Sequence, residues 1–302
     1  MALKKHFFDE SGLAKKGFLN GIKALGSIIL FFLFFTLSGF IFHLLLRLGL
    51  SEKKELMNHH EEFMHSIYPQ LGMFLAVLLS AFIIKFLFYR KALKFELKLK
   101  GQGKAIVYGG LFVIMIYVIG YLFSVGLGWI EIVHFKWDAY ALFSSFILFL
   151  LVSFTEEIMC RGVVQQILMD IPIPKFLALG ITSGLFMMLH LTNPGIGVIP
   201  LLNLFLAGFI LGLPLLFSRN LWFPISFHLF WNWIQGPILG YRVSGLTYFS
   251  PLIHIRGNGP EWITGGDFGF EGSIICSILL LFAIAILYQF LKKRSLRNIN
   301  QG

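Results

Sequence analysis

The chain alternates long apolar runs with short polar segments, and several of the runs have the length of a bilayer crossing. The pattern gives eight, at about 24–48, 67–89, 105–126, 140–168, 175–191, 201–217, 222–236 and 274–291. A helix rising 1.5 Å per residue needs about 20 apolar residues to cross roughly 30 Å of hydrocarbon. The expected fold class is therefore all-α: a polytopic membrane protein of about eight transmembrane helices, with residues 1–302 forming a single integral membrane domain. The polar segments "SEKKELMNHHEE" and "EIVHFKWDAY" and the glycine-rich stretch 236–273 read as loops, the last on the external face.

Composition supports this reading. The chain is 57% hydrophobic and only 13% charged, against about 25% charged in a soluble domain. The net charge of +10 does not point to nucleic acid, because the basic residues cluster beside the apolar runs. Lys4, Lys5, Lys15, Lys16 and Lys23 lie in an N-terminal arm, residues 1–23. "RKALKFELKLKGQGK" follows the second run, and Lys292, Lys293, Arg294 and Arg297 follow the last. The positive-inside rule then places both termini in the cytoplasm. Short loops without eukaryotic targeting signals point to a bacterial plasma membrane. Cys160 and Cys276 both fall inside apolar runs, which argues against a disulfide framework. No small-residue cleavage site follows the first run, so it reads as an uncleaved span.

Against this background the stretch "FTEEIMCRGV", residues 154–163, stands out. It brings Glu156, Glu157 and Arg161 into a run otherwise free of charge. An ionisable group at bilayer depth costs roughly 2.5–3.5 kcal/mol on insertion scales, so it faces protein or water and has a partner. Glu157 and Arg161, four apart, pair on one helix face; Glu156 points about 100° away. Span five ends "FMMLH", with Phe186 and His190 four apart, and span seven holds "HLFWN", with His228 and Asn232 four apart. Glu156 and His190 lie equally far from the proline turn "DIPIPK", so antiparallel helices bring them level. A carboxylate beside a histidine can take a proton from water or hold a divalent metal that acidifies it. Neighbouring polar groups can stabilise an oxyanion. The chemistry indicated is peptide-bond hydrolysis at the membrane.

The three motifs EExxxR, FxxxH and HxxxN, in this order, resemble the CAAX protease and bacteriocin-processing (ABI) family of intramembrane proteases. The resemblance covers about residues 140–290, and "TGGDFGFEGSI" before the last span is similar to a segment of bacterial members. It implies an active site among spans four, five and seven. Glu156 and His190 would activate water, while His228 and Asn232 would stabilise the oxyanion. Glu157, Arg161 and Phe186 would orient them. It also allows a divalent metal such as zinc on Glu156, His190 and His228, or a metal-free glutamate mechanism. The partner would be a membrane-associated peptide or protein.

Two rival classes remain: an ion- or proton-coupled transporter, and a non-proteolytic immunity or scaffold protein on the same fold. The spans carry no internal repeat of the kind alternating-access halves show. "HHEEFMH" at 59–65 is not HExxH and reads as a charged external loop segment. Cys160 reads as apolar filler rather than a nucleophile. Lys85 and His43, near span ends, read as snorkelling to the interface.

Overall fold

The computed structural model describes residues 16–49, 59–89, 97, 99–247 and 249–299. The basic arm up to Lys15, residues 50–58 and residues 90–96 lie outside them. The elements run α1 (Lys16–Gly49), α2 (His59–Ile84, continued by a π turn Lys85–Tyr89), α3 (Gly103–Gly126), β1 (Ile130–Phe135) and α4 (Ala139–Glu157). A π-helical segment Ile158–Gln165 leads into α5 (Gln166–Met169). Then follow α6 (Lys175–Met188), α7 (Val198–Gly212), α8 (Trp222–Trp233, continued by a π turn Ile234–Ile238), β2 (Ile253–Gly257), α9 (Glu261–Thr264) and α10 (Ile274–Ile299).

All eight apolar runs are helical, as the pattern predicts. Among the described residues six helical segments are long and apolar enough to cross a membrane, the longest being Ala139–Met169 at 31 residues. The two exceptions are α6, with 14 residues, and α8, with 12. Burial divides the spans. Only 6% of the apolar window of α1 is buried, against 67% for Val198–Leu216. Leu25, Ile29, Leu33 and Leu37 of α1 are exposed, forming an apolar face suited to lipid. At the opposite extreme α8 buries Phe223 to Leu229, Trp231 and Asn232, and so forms the centre of the bundle.

Two segments read as loops prove to be ordered. "IEIVHF" is strand β1, paired antiparallel with β2, with Glu131 opposite Arg256 and His134 opposite His254. Its apolar–polar alternation is short, and its partner lies more than 100 residues further on, so the local pattern did not call for a strand. The stretch 236–273 is packed against the bundle: Phe268, Phe270, Glu271 and Ser273 from it are buried in the core. "HHEEFMH" is correspondingly corrected, because helix α2 already begins at His59; its side chains up to Ser66 are outside the description. Phe135 and Trp137, at the end of the ribbon, are strongly exposed, as aromatic residues at a membrane–water boundary are. Asp138 caps α4, its carboxylate accepting the Ala141 N–H at 2.9 Å.

Candidate active site

The π segment carries the densest polar chemistry of the interior. All eight of its residues are buried. Such i→i+5 turns are rare and recur at functional sites. Arg161 Nη1 donates to Glu157 Oε1 at 2.8 Å, and both side chains are fully buried. Arg161 Nη2 donates to the Gly208 carbonyl at 3.0 Å, and its guanidinium lies 4.6 Å from the Phe186 ring centre. One turn on, Gln165 Nε2 donates to the Gly212 carbonyl at 2.8 Å. These approaches need bare glycines on α7. A Cβ at Gly208 would stand 2.8 Å from Ser183 Cα, inside any tolerated contact. The "GFILG" stretch is thus a small-xxx-small face that lets helix backbones come close.

The ion pair predicted from spacing does more than bridge helices. His228 Nδ1 lies 2.9 Å from Glu157 Oε1. Because the carboxylate accepts, Nδ1 carries the hydrogen, and Arg161, Glu157 and His228 form a chain that fixes the imidazole. Its other nitrogen, Nε2, faces Glu156 Oε2 at 3.9 Å. That distance is too long for a direct hydrogen bond, and Glu156 Oε2 is buried with no hydrogen-bond partner. Glu156, left without a partner by helical geometry, therefore presents a bare carboxylate oxygen next to an oriented histidine.

His190 sits just past the end of α6, where Nδ1 lies 2.8 Å from the Phe186 carbonyl. A carbonyl only accepts, so Nδ1 is the donor and Nε2 is left bare. The Phe186 ring stands between the histidines, 4.9 Å from His190 and 5.8 Å from His228. Glu156, His190, His228 and Asn232 all line one cavity of about 260 Å³. Glu156 lies near the middle of the 31-residue segment Ala139–Met169, so the cavity is deep within the helix bundle. The irregular chain after His190 is mostly exposed, with Leu191, Thr192, Pro194 and Gly195 open on its surface. It is tied to the fold at Asn193, whose Nδ2 donates to the Ser244 carbonyl at 2.9 Å.

Three features escape sequence reading. Gln70 of α2 lines the cavity and donates to Thr155 Oγ1 at 3.3 Å. Ser244 and Glu271, from the stretch after α8, form part of the same wall. Each lies far along the chain from the motifs, and only the resemblance of "TGGDFGFEGSI" touches this region. Cys160 and Cys276 are both free and buried, and Cys160 is absent from the cavity lining. Among the described residues no three His, Cys, Asp or Glu side chains gather where they would hold one metal ion.

Residues 138–234 match the family model described as type II CAAX prenyl endopeptidase Rce1-like. The match covers about a third of the chain, the part that holds the cavity's EExxxR, FxxxH and HxxxN residues. Glu156, Glu157, Arg161, Phe186, His190, His228 and Asn232 all fall inside this Rce1-like segment, while Ser244 and Glu271 fall outside it. Among curated proteins no sequence matches the chain significantly. The Rce1-like family is a protease family, and the long apolar helices suit an integral membrane protein.

Proposed function

We propose that the protein is an intramembrane endopeptidase that cleaves a membrane-associated peptide or protein with water activated by Glu156 and His190. The observation that carries this reading is the buried Glu156 Oε2, which makes no hydrogen bond and faces His228 across 3.9 Å in a cavity that His190 also lines. A carboxylate oxygen without a hydrogen bond is free to take a proton from water in that cavity. His190 Nε2, bare because Nδ1 is committed to the Phe186 carbonyl, takes up the proton that Glu156 removed from water and passes it on to the leaving amine, which departs as the C–N bond breaks. His228, protonated and held through Nδ1 by Glu157, directs an Nε2–H donor at the developing oxyanion. Asn232, one turn further along α8 on the same cavity wall, supplies a second donor. Arg161 balances the charge of Glu157 and keeps that carboxylate in place. The basic flanks of the spans support cytoplasmic termini in a bacterial plasma membrane.

The test is Glu156→Gln, which removes the charge while keeping the shape. Membrane-peptide fragments from cells making the parent protein are compared with those from cells making the variant. Cleavage is expected to fall about 10²–10⁴-fold, the usual contribution of a general base, with insertion and folding intact. Equal fragment patterns would refute the glutamate mechanism. Their absence from both strains, with a proton-dependent current across proteoliposomes, would favour a carrier.

A further inference from the structure

Glu271 is a second carboxylate in the cavity wall, and the water-activating chemistry makes no use of it. It is 6% exposed, lies outside the Rce1-like segment, and faces the same 260 Å³ space as Glu156. Its donors are neutral and come from three separate parts of the fold. Trp231 Nε1 of α8 donates to Oε1 at 2.7 Å. Oε2 accepts from Ser244 N and Ser244 Oγ, both at 2.8 Å, and from Gln235 Nε2 at 3.3 Å. The backbone carbonyl of Glu271 accepts from Asn203 Nδ2 of α7 at 2.7 Å.

The object these bonds hold is a tight turn. Val243 N donates to Leu246 O and Leu246 N to Val243 O, both at 2.9 Å. Between them Ser244 has φ +48° and Gly245 φ +83°. Positive φ at both central positions is the type I′ hairpin turn, which favours Asn or Gly. Glycine suits the second position, but serine at the first is held in a sparsely populated conformation. Such a residue persists where its surroundings over-determine it, and that clusters at functional sites. Here Glu271 grips both its N–H and its hydroxyl. The Ser244 carbonyl takes the Asn193 amide, three residues from His190. Val243, Ser244 and Leu246 all line the cavity.

We infer that Glu271 is a positioning residue: it clamps the Val243–Leu246 turn and the Trp231 indole into a rigid wall against which the substrate backbone is seated opposite Glu156 and His190. The inference rests on the protease reading of the site. Asn232 follows Trp231 directly, so the clamp also steadies the helix turn that carries the oxyanion donor. A peptide seated against a loosened wall binds less well, while the water-activating groups are untouched.

The test pairs two measurements on Glu271→Gln and the parent, both purified in detergent. The amide NH₂ that replaces one carboxylate oxygen cannot accept, so either the Ser244 donors or the Trp231 donor loses its partner. Hydrogen exchange over residues 243–246 is expected to accelerate at least about tenfold while α4 and α8 keep their protection. KM for a cleaved membrane peptide is expected to rise about tenfold or more with kcat little changed, the signature of lost uniform binding. Ser244→Val, which cannot adopt φ +48° without strain, is expected to reproduce the KM defect. Unchanged exchange at the turn overturns the inference, as does exchange that rises across the whole core or a fall in kcat with KM unaltered. If the parent cleaves no peptide at all, the protease reading fails while the exchange data still decide whether the clamp exists.

Discussion

Replacing Arg161 separates what the buried ion pair does for folding from what it does for chemistry. In Arg161→Met the fully buried Glu157 carboxylate loses its cationic partner at 2.8 Å, the Gly208 carbonyl loses a donor, and the Phe186 ring loses the guanidinium stacked on it. Removing one member of a buried pair costs about 3–5 kcal/mol, because the remaining charge is left uncompensated. At 1.4 kcal/mol per decade that is roughly two to three and a half orders of magnitude in the folding equilibrium. Replacing both charges, as Glu157→Gln with Arg161→Met, removes the uncompensated buried charge that makes the single change costly, and is expected to recover most of the stability. Activity is not expected to return, because His228 then has an amide in place of the carboxylate that fixes its Nδ1–H and balances an imidazolium. A loss of about 10²–10⁴-fold should persist in the double variant. The assay is unfolding in mixed micelles followed by tryptophan fluorescence, alongside peptide cleavage. Two results would refute the reasoning: an Arg161→Met protein as stable as the parent, or a double variant with full activity.

Other consequences are equally checkable. Gly208→Ala places a methyl group 2.8 Å from Ser183 Cα and is expected to push α6 and α7 apart, costing about 1–3 kcal/mol; the same unfolding assay reads it. Asn203→Leu removes bonds to the carbonyls of Glu271 and Ser273; Ser273 keeps the Ser277 N–H at 3.4 Å, but the Glu271 carbonyl loses its donor, costing about 1–3 kcal/mol, and limited proteolysis after α9 is expected to speed up. On the β-ribbon, burial and then the neighbouring His134 and Lys136 hold the His254 imidazole below its ordinary range, with the two rings stacked 4.1 Å apart. The folded ribbon therefore binds fewer protons than the unfolded strand as pH falls through about 6.5. Exchange of the amides of residues 130–135 should accelerate on acidification, and by a smaller factor in His134→Phe, which removes one of the two neighbouring cations while burial and Lys136 remain.

The sequence was most informative where one helix carries both partners. The four-residue spacing of Glu157 and Arg161 predicts their contact, and the four-residue spacings of Phe186 with His190 and His228 with Asn232 predict the cavity-facing pairs. Matched distances from the proline turn bring Glu156 and His190 to one cavity. What sequence could not supply was set by long-range packing. Nothing in "FHLFWN" says that His228 turns Nδ1 to Glu157 and Nε2 to Glu156, because that depends on how α8 is rotated against the π segment. The π turn itself has no local signature in "IMCRGVVQ". Glu271 reads as one acid in a glycine-rich loop until the fold brings Trp231, Gln235 and Ser244 to it.

The unequal lengths of neighbouring spans bear on where this protein can work. The segment Ala139–Met169 has 31 residues, while α6 beside it has 14 and presents Phe176, Leu177 and Ile181 outward. At 1.5 Å per residue α6 is only about 21 Å long, short of a typical hydrocarbon thickness of about 30 Å. Acyl chains next to it must compress or tilt, a mismatch that costs a fraction of a kcal/mol per Å. Water then reaches further toward His190 on that flank than an undeformed membrane would admit it, and thin, short-chain bilayers should favour turnover over thick, sterol-stiffened ones.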